Sequence, residues 1–389
     1  MSNSKQVIDG ECFEIPEYYK VQNIIGRGSY GVVASALDVR NGEKVAIKKI
    51  SNIFQKSKDY QKRIVRELKI LKHYSQVSHE NIVQLRDLVV PRSENELRDL
   101  YIITELMDCT VRDVLKSNQN FTDINTKYFL YHMLKGLAYI HSSGIAHRDI
   151  KPQNILVNEN FRIAYCDFGL SRGVDIDSKI STNDIASLWY RSPEVILGYE
   201  YGMKPMDIWG LGCILGEMLN CGRVLFQGSS ALDVLDKQLE LLGTPDESSM
   251  KGSFKAVKYL KSLPPKPKPN LSTVFPNASP DAIDLLLKML EWDPDRRITA
   301  EQALQHPYLT YIREQYGNEE EIVCVSKFDY RFDESMKTET VRAFLYEELK
   351  QFVQQYRGQA KSTSNNLDNT STSSATSPLP PSRTIGCTN

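Results

Sequence analysis

The spacing of hydrophobic and polar residues divides the 389-residue chain into four stretches. Residues 1–18 are mostly polar and form a short leader. Residues 20–108 contain short apolar runs that are rich in β-branched residues and separated by turns, which is typical of strands. Residues 109–356 show mainly helical spacing. The last stretch, 358–389, is rich in Ser, Thr and Asn and almost lacks apolar residues, so we expect it to be disordered.

Four helices are predicted from the apolar spacing. The first covers about residues 58–73, and the second begins at Thr122 and ends before Gly144. The third, at about 207–219, is apolar on nearly all sides, so it should be a buried axis. The fourth runs from Val341 to Phe352 and carries an apolar stripe that another surface must cover. The chain is therefore predicted to be α+β, with a strand-rich part followed by a helix-rich part.

Charge and composition exclude some classes of partner. The formal net charge is −1, so we expect no bulk electrostatic attraction to nucleic acid or to a membrane. The polar N-terminus lacks the apolar core of a signal peptide, and no run approaches the length of a membrane span. Seven cysteines without paired or metal-type spacing are typical of reduced thiols. The sequence therefore predicts a protein of the cytoplasm, the nucleus or both, with no nucleic-acid and no membrane partner.

Residues 26–33 read Gly-Arg-Gly-Ser-Tyr-Gly-Val-Val, a G-x-G-x-x-G-x-V pattern. Dinucleotide-binding folds use similar glycines, but they need a helix directly afterwards. Here no helical stripe follows, and Asn41-Gly42 is a two-residue hairpin signal ahead of the strand-like run 44–50. The glycines are therefore predicted in a β-hairpin, where the missing side chains let backbone approach phosphate groups. A coincidental glycine turn is the alternative at this point.

The strand-like run contains Val45-Ala-Ile-Lys48, whose lysine can reach the α- and β-phosphates of a nucleotide. A long lysine side chain must be held in direction. Glu67, on the predicted helix 58–73, is the candidate anchor, because a paired carboxylate keeps the ammonium group charged and directed. The alternative is an ordinary glutamate on the surface of a helix.

Two further stretches carry the groups that phosphoryl transfer to a hydroxyl requires. Residues 147–154 read His-Arg-Asp-Ile-Lys-Pro-Gln-Asn, and residues 167–169 read Asp-Phe-Gly. The reaction needs a carboxylate that orients the hydroxyl and accepts its proton, oxygen ligands for Mg²⁺, and positive charge near the moving phosphoryl group. Asp149 fits the base, and Lys151 fits the cation. The candidate metal ligands are Asn154 and Asp167.

In order and spacing these motifs resemble those of eukaryotic protein kinases, from about residue 19 to residue 309. The resemblance implies a two-lobed kinase fold, with a β-rich small lobe at about 19–108 and an α-rich large lobe at about 109–309. It also implies that Glu194 and Arg297 form a buried ion pair of the large lobe, with a structural and not a catalytic role.

ATP and Mg²⁺ are the cofactors that the resemblance implies. By the same match Thr104 is the gatekeeper of the adenine pocket, and the backbone of Glu105 and Met107 bonds the adenine edge. The expected nucleotide-binding residues are Ile25, Gly26, Gly28, Gly31, Val33, Ala46, Lys48, Thr104, Glu105 and Met107. The expected catalytic residues are Asp149, Lys151, Lys48 and Glu67.

Further segments resemble the mitogen-activated protein kinase family. Residues 189–194, Trp-Tyr-Arg-Ser-Pro-Glu, resemble the proline-directed branch, which also contains cyclin-dependent kinases and accepts proline after the target Ser or Thr. Residues 259–276 resemble the insert of mitogen-activated kinases, and 327–333 together with the helix from Val341 resemble their C-terminal extension. That extension, residues 310–357, is expected to pack back on the kinase domain, at the small lobe. An active kinase of a signalling cascade is therefore the main interpretation.

The resemblance also implies control by phosphorylation. Residues 182–184 read Thr-Asn-Asp where the family has Thr-x-Tyr, so we expect Thr182 to be the single regulatory phosphosite and Asp184 to replace the phosphotyrosine permanently. Leu188 stands where the family has an arginine before the tryptophan. The expected arginine partners are Arg66, Arg148 and Arg172 for the Thr182 phosphate and Arg191 for Asp184. The alternative is that Asp184 is a solvated loop acid.

The implied partners are proteins with Ser-Pro or Thr-Pro sites, an upstream dual-specificity or Ser/Thr kinase, a phosphatase, and docking peptides. The glutamates at 319–321 match the family's docking region, although a solvated acidic loop explains them equally well. Two other functions stay open: a cyclin-dependent-type kinase that needs a partner subunit, and a pseudokinase scaffold without chemistry. The residues that argue against a scaffold are Lys48, Glu67, Asp149, Asn154 and Asp167.

Overall fold

A computed structural model describes most of the chain, and the described residues form two compact units. The N-terminal unit contains the described residues of 3–78, 83–107 and 330–363, and the C-terminal unit contains those of 79–82 and 108–329. The described residues are 3–28, 31–117, 121–174, 187–198, 202–250, 253–317, 322–332, 336 and 340–363, with side chains up to residue 355.

Strands and helices are numbered in chain order. The strands are β1 (Asn3–Ile8), β2 (Glu11–Pro16), β3 (Tyr19–Gly28), β4 (Gly31–Asp38), β5 (Glu43–Ile50), β6 (Leu85–Leu88), β7 (Leu100–Glu105), β8 (Cys109–Thr110), β9 (Ile145–Ala146), β10 (Ile155–Val157), β11 (Ile163–Tyr165) and β12 (Arg172–Gly173). The α-helices are α1 (Lys58–Gln76), α2 (Val111–Lys116), α3 (Asp123–Ser142), α4 (Pro193–Leu197), α5 (Lys204–Leu219), α6 (Ala231–Leu242), α7 (Phe254–Ser262), α8 (Leu271–Val274), α9 (Pro280–Met289), α10 (Ala300–Leu304), α11 (Thr310–Tyr316) and α12 (Val341–Thr363). The strand-rich and helix-rich parts follow one another as the α+β prediction requires.

A five-stranded antiparallel sheet, in the order β3-β4-β5-β7-β6, is the centre of the N-terminal unit. Its core includes the fully buried side chains of Ala34, Ala36, Ile47 and Ile103. Along β3 less exposed positions alternate with more exposed ones, as the period of two in strand geometry requires, except where the register shifts between Val21 and Asn23. The sheet fixes the lysine of β5 and the glycines of the β3–β4 hairpin relative to each other.

The N-terminal residues are more than a polar leader. β1 and β2 form an antiparallel hairpin, and Phe13 and Ile15 are fully buried in the same core as Tyr19. Phe13 and Ile15 are two positions apart, so they point to one face of β2. This alternation is visible in the sequence, but two apolar residues are too few to predict a strand.

The hairpin predicted between β4 and β5 is present, but its turn is longer than the Asn-Gly pair predicts. Pairing ends at Asp38 and Glu43, so residues 39–42 form the turn. The N–H of Gly42 donates to the carbonyl oxygen of Asp38 at 2.8 Å, and Gly42 has a φ of 78°, which favours glycine. The Asp38 carboxylate accepts a hydrogen bond from the N–H of Arg40 at 3.0 Å. These local bonds favour the four-residue turn.

The predicted helix 58–73 corresponds to α1. It begins after the N-cap Ser57, whose hydroxyl accepts a hydrogen bond from the N–H of Tyr60. It ends at Gln76, one turn beyond the predicted end. The apolar face is buried as predicted, and its members are Ile64, Leu68 and Leu71.

α12 packs against α1 and β6 within the N-terminal unit. Its apolar stripe is buried and consists of Val341, Leu345, Leu349 and Phe352. The helix continues to Thr363, although a disordered tail was predicted from residue 358. The stripe ends at Phe352, so the apolar spacing carried no signal for the additional turns.

Two helices form much of the interior of the C-terminal unit. α3 begins after Thr122, whose hydroxyl accepts a hydrogen bond from the N–H of Asn125 at 3.3 Å, and it ends at Ser142 as predicted. α5 is buried from Met206 to Met218. It is therefore the buried axis that its largely apolar sequence predicted.

α5 begins at Lys204, earlier than the predicted Asp207. Pro205 occupies the first turn, where its missing N–H costs no intrahelical bond and its fixed φ suits a helix. Gly210 is packed so closely that an added Cβ would lie 2.9 Å from the carbonyl oxygen of Ile150. This contact holds the axis against the segment that follows β9.

Some predicted features lie outside the described residues. They are Thr182, Asp184, the acidic run 319–321 and the tail from residue 364 onward. Among the helices that are described, none has both the length and the apolar content needed to cross a membrane.

Candidate active site

The glycine-rich stretch lies in the hairpin of β3 and β4, as its flanking sequence predicts. The register pairs Gly26 with Val33 and Gly28 with Gly31. Gly31 has a φ of 131°, and a Cβ there would lie 2.0 Å from the carbonyl oxygen of Lys49, so only glycine fits. A Cβ at Gly28 would meet nothing within 4 Å. At Gly28 the missing side chain therefore leaves the backbone open, as approach to a phosphate requires.

The predicted ion pair of Lys48 and Glu67 is present. Lys48 lies on β5, and its Nζ donates to Oε1 of Glu67 on α1 over 2.6 Å. The Glu67 side chain is only 6 % exposed, so the pair is shielded from water and less screened than a surface pair. The carboxylate fixes the direction in which Lys48 presents its charge.

Further predicted nucleotide-binding residues share one face of the sheet with Lys48. The register places Val33 opposite Lys48 and Ala46 opposite Thr104. Ala46 and Lys48 are two positions apart on β5, and residues opposite each other in antiparallel strands share a face. Four predicted residues from three strands therefore project on the same side. Ile25, on β3, is half exposed.

The backbone of Glu105 is partly committed to the sheet edge. Its N–H donates to the carbonyl oxygen of Gln84 at 3.0 Å, and its carboxylate accepts the N–H of Gln84 at 2.9 Å. Its carbonyl oxygen accepts the Thr104 hydroxyl at 3.2 Å, and a carbonyl oxygen can accept two hydrogen bonds. Because the N–H is engaged, the carbonyl oxygen is the backbone group of Glu105 that we expect to bond the adenine edge. Met107, the second expected hinge residue, is buried.

In the C-terminal unit one buried carboxylate fixes the start of the segment 147–154. Asp207 of α5 accepts the backbone N–H groups of His147 at 2.8 Å and Arg148 at 2.7 Å. His141 Nε2 lies 2.9 Å from the same carboxylate. Arg148 has a φ of 68°, which is unfavourable for a residue with a Cβ. The bonds from Asp207 therefore stabilise a strained backbone next to Asp149.

Sequence reasoning missed this role, because Asp207 was identified only as the start of the third predicted helix. The available signal was an acid at the start of a helix that is otherwise apolar except for a second acid, Glu217. A buried carboxylate needs donors, and the sequence does not say which donors reach it. The donors lie about sixty positions earlier in the chain, with a separation of 60 for His147.

Asp149 is the centre of a hydrogen-bond network. Its Oδ2 accepts from Lys151 Nζ at 2.7 Å and from Asn154 Nδ2 at 2.8 Å. Its Oδ1 accepts the backbone N–H of Ser187 at 3.1 Å. The residue is only 3 % exposed. Donors on both oxygens fix the direction of the carboxylate, which a group that orients a hydroxyl and accepts its proton requires.

Asn154 and Asp167 lie at the same end of the β10–β11 hairpin. Ile155 pairs with Tyr165, and the N–H of Cys166 donates to the carbonyl oxygen of Asn154 at 3.0 Å. The amide nitrogen of Asn154 is engaged by Asp149, so Oδ1 is the atom that it can offer to a ligand. An amide oxygen and a carboxylate are the hard ligands that Mg²⁺ prefers, so the two residues fit this ion.

Within the described part of the chain, no cluster of three or more His, Cys, Asp or Glu residues could hold a metal ion by itself. Mg²⁺ usually binds through one or two protein ligands together with phosphate oxygens and water. The pair Asn154 and Asp167 is consistent with an ion that arrives with a nucleotide.

The expected structural ion pair of Glu194 and Arg297 is present. Two nitrogens of Arg297 donate to the two carboxylate oxygens of Glu194 at 2.6 and 2.9 Å. The same guanidinium group donates to the carbonyl oxygens of Glu291 and Pro205. A buried cation satisfied in this way connects α4, the start of α5 and the segment before α10. Its role is structural.

The predicted arginine partners of the regulatory segment are Arg66, Arg148, Arg172 and Arg191. Arg66 belongs to the N-terminal unit, and the others belong to the C-terminal unit. Arg66 and Arg148 are buried. The residues that they were expected to bind, Thr182 and Asp184, lie outside the described residues, so the phosphosite network stays a prediction.

Thr110, which follows the hinge in sequence, caps a helix. Its hydroxyl accepts the N–H of Asp113 at 3.2 Å, and the Asp113 carboxylate accepts the N–H of Thr110 at 2.9 Å. This reciprocal pair is a capping box at the start of α2. The Thr-x-x-Asp spacing was the available signal.

Comparison with known proteins agrees with these observations. Residues 19–309 match the family model described as the protein kinase domain. The mitogen-activated protein kinase mpkA of Aspergillus fumigatus is 41 % identical over 355 residues, which cover 90 % of this chain and 82 % of that protein. The mitogen-activated protein kinase spm1 of Cytospora mali is 40 % identical over 351 residues, which cover 89 % and 82 %. Mitogen-activated protein kinase 4 of Arabidopsis thaliana is 40 % identical over 347 residues, which cover 88 % and 90 %.

These findings confirm the predicted fold class and favour the main interpretation over a cyclin-dependent-type kinase or a scaffold. Kinases of this kind use ATP, act on protein substrates and are regulated by upstream kinases. The chain belongs to the mitogen-activated protein kinase family and is an ATP-dependent protein serine/threonine kinase.

Proposed function

We propose that the chain transfers the γ-phosphoryl group of Mg²⁺-bound ATP to serine or threonine residues that are followed by proline. The observation that carries the proposal is the network at Asp149. Its two carboxylate oxygens are held by Lys151, Asn154 and Ser187 over 2.7 to 3.1 Å. A carboxylate held in this way suits a reaction that needs a directed proton acceptor.

Each residue of the C-terminal unit has a distinct task in this proposal. Asp149 orients the substrate hydroxyl and accepts its proton, while Lys151, paired to it, supplies positive charge near the transferred group. Asn154 Oδ1 and the Asp167 carboxylate would hold Mg²⁺. When bound, the ion supplies positive charge that offsets the charge of the phosphate oxygens.

The N-terminal unit holds the nucleotide in this proposal. Lys48, directed by Glu67, would pair with the α- and β-phosphates, and the open backbone at Gly28 would let the glycine-rich hairpin approach them. The Glu105 carbonyl oxygen and the backbone of Met107 bond the adenine edge. Ile25, Gly26, Gly31, Val33, Ala46 and Thr104 complete the binding surface.

Preference for proline is supported by the segment 187–191, which is held at several points. Trp189 Nε1 donates to the carbonyl oxygen of Gly228 at 2.8 Å, and the Tyr190 hydroxyl donates to buried Glu217 at 2.8 Å. Proline has no backbone N–H. A fixed segment can therefore select a proline after the target residue by its shape, because it need not accept a hydrogen bond from a backbone N–H at that position. The Trp-Tyr-Arg-Ser-Pro-Glu pattern also matches that of proline-directed kinases.

Control is proposed to act through Thr182, with an upstream dual-specificity or Ser/Thr kinase adding the phosphate and a phosphatase removing it. Arg66, Arg148 and Arg172 would bind the phosphate, and Arg191 would bind Asp184. The acidic run 319–321 would attract basic docking peptides. We also propose a location in the cytoplasm, the nucleus or both.

The test compares two peptides that are identical except for Ser-Pro and Ser-Ala. The purified chain is assayed without any cyclin, before and after treatment with an upstream dual-specificity or Ser/Thr kinase that phosphorylates Thr182. We expect transfer to the Ser-Pro peptide to be at least about tenfold faster, to require Mg²⁺, and to rise after Thr182 is phosphorylated. The matched control is Thr182→Ala, which should not respond to the activating kinase.

Other outcomes would contradict parts of the proposal. Equal rates for both peptides would contradict the preference for proline. A requirement for an added cyclin would support the cyclin-dependent alternative. Nucleotide binding without any transfer would support a scaffold.

A further inference from the structure

A carboxylate on α12 lies between two lysines of α1. Lys69 Nζ donates to Oε1 of Glu348 at 3.0 Å, and Lys72 Nζ donates to Oε2 at 2.5 Å. Lys72 Nζ also lies 3.1 Å from the backbone carbonyl oxygen of Glu348. Lys69 and Lys72 are three positions apart, so they occupy the same face of α1. One glutamate therefore connects α12 to two successive points of α1.

This contact is shielded from solvent. The side chains of Glu348 and Lys72 are each 12 % exposed. Burial by itself would raise the pKa of the Glu348 carboxyl, but the hydrogen bond from Lys72 and the charges of Lys72 and Lys69 hold that pKa below its ordinary range. The rings of Phe332 and Phe344 lie 4.8 and 5.4 Å from the Lys69 ammonium group. The ionised carboxylate is therefore held by two cations, and one of them, Lys69, is also covered by aromatic rings.

Other residues of α12 hold the helix to different segments. Arg342 donates to the carbonyl oxygen of Leu97 at 2.7 Å, and its guanidinium group lies over the ring of Phe54. Leu345 and Leu349 are fully buried. α12 is therefore a fixed support, against which Glu348 can hold α1.

α1 also carries Glu67, which directs Lys48. Successive residues of an α-helix are rotated by about 100°, so Lys69 and Lys72 are rotated from Glu67 by about 200° and 140°. Glu67 and the two lysines consequently lie on opposite sides of α1. The helix is tied to β5 on one side through Glu67, at 2.6 Å from Lys48, and to α12 on the other side through Glu348.

We propose that Glu348 is a positioning residue of the kinase reaction: it holds α1 from behind so that Glu67 stays paired with Lys48. The proposal rests on the proposed function, in which Lys48 pairs with the phosphates of ATP. In this proposal the C-terminal extension contributes to catalysis indirectly, because it keeps the ion pair of Glu67 and Lys48 formed.

The test is a double-mutant cycle of Glu348→Gln and Glu67→Gln. Rates are measured with a Ser-Pro peptide, on proteins with the same measured extent of Thr182 phosphorylation. We expect Glu348→Gln to lower kcat about tenfold while the KM for the peptide stays within about twofold. In the Glu67→Gln background the second change should have little further effect, because Glu348 acts through Glu67. Losses that multiply would overturn the proposal.

Glu347→Gln is the matched control. Glu347 neighbours Glu348 on the same helix, but its side chain is 55 % exposed and it pairs with Lys350 at 2.9 Å. We expect its kcat to stay within about twofold of the wild-type value. An equal loss in both variants would show that the helix and not the Glu348 carboxylate matters, and would overturn the proposal.

Amide hydrogen exchange supplies a readout that does not depend on the rate. Glu348→Gln should accelerate exchange in α1 and leave β4 and β5 unchanged; unchanged exchange in α1 would overturn the proposal. If Glu348→Gln does not fold, Lys69→Gln/Lys72→Gln removes the same contact from the other side and takes its place. A wild type without transfer to the peptide would contradict the proposed function, whereas an active wild type with an equally active Glu348→Gln would overturn this inference alone.

Discussion

The two units hold their charged catalytic residues in different ways. In the N-terminal unit, Lys48 and Glu67 form an ion pair between a strand and a helix. In the C-terminal unit, Asp149 receives three donors on both oxygens, and the segment before it is fixed by the buried Asp207. Small movements of α1 would thus change the direction in which Lys48 presents its charge. Asp149, by contrast, is held in place whenever its own unit is folded. The first arrangement is suited to control, and the second to preorganisation.

The largest expected effect is at Asp149. Asp149→Asn removes the proton acceptor, so we expect the rate of transfer to fall roughly 10³-fold or more. The amide can keep one of its donors but turns its own N–H₂ toward another, so the free energy of unfolding should fall by about 1–3 kcal/mol. Steady-state rates and denaturant unfolding measure the two quantities.

The control for Asp149→Asn is Glu159→Gln, an exposed carboxylate of the same unit. It should leave both quantities nearly unchanged. Retention of activity within about tenfold in Asp149→Asn would contradict the assignment of the base.

Lys48→Met tests the other side of the comparison. Loss of the cation should lower the rate roughly 10²–10³-fold. Because the ion pair ties α1 to β5, amide exchange across 58–76 should accelerate, while the C-terminal unit keeps its exchange pattern. Lys44→Met, an exposed lysine on the same strand, is the control. If Lys48→Met left exchange in α1 unchanged, the view that this pair controls the helix would fail.

The sequence predicted those parts of the site that lie within short motifs. The glycine hairpin, Lys48 and residues 147–154 each depend on neighbours in sequence, and the structure places them on the predicted strands and segments. The ion pair with Glu67 was predicted because a long lysine needs a carboxylate to direct it, and Glu67 lies on the predicted helix 58–73. Periodicity also predicted α3, α5 and the buried stripe of α12.

What could not be predicted depends on contacts between distant residues. The hairpin β1–β2 is stabilised when Phe13 and Ile15 enter a core built by other strands. The bonds from Asp207 span about sixty positions, and the salt bridges of Glu348 join residues separated by 276 and 279 positions. No local spacing rule encodes such pairs, because they follow from how the elements pack.

Asp207→Asn weakens the backbone contacts that hold the segment before Asp149 but leaves Asp149 itself unchanged. It therefore tests how much the C-terminal unit depends on this buried carboxylate. The carboxylate accepts two backbone N–H groups and faces His141 Nε2. An amide would direct its own N–H₂ at one of these donors, so we expect a loss of about 2–3 kcal/mol in the free energy of unfolding. The rate should fall by roughly 10–100-fold, because Arg148 is no longer held at its unfavourable φ.

Asp281→Asn, an exposed acid on α9, is the matched control for Asp207→Asn. In Asp207→Asn the free energy of unfolding and the rate of transfer should both fall. In Lys48→Met, by contrast, the rate should fall and faster amide exchange should be confined to α1. A stable Asp207→Asn protein with wild-type activity would show that the base does not need its buried anchor.

The smallest effect is expected at Thr110, the N-cap of α2. Thr110→Ala removes the hydroxyl that accepts the N–H of Asp113 and leaves that donor without its cap, so the free energy of unfolding should fall by about 1 kcal/mol. Thr110→Ser keeps the hydroxyl and should retain most of that stability. The KM for ATP should stay within about twofold in both variants, because the hydroxyl is committed to the capping box. A clear rise in the KM for ATP in Thr110→Ala, with Thr110→Ser unchanged, would show that the hydroxyl contacts the nucleotide and would contradict its purely structural role.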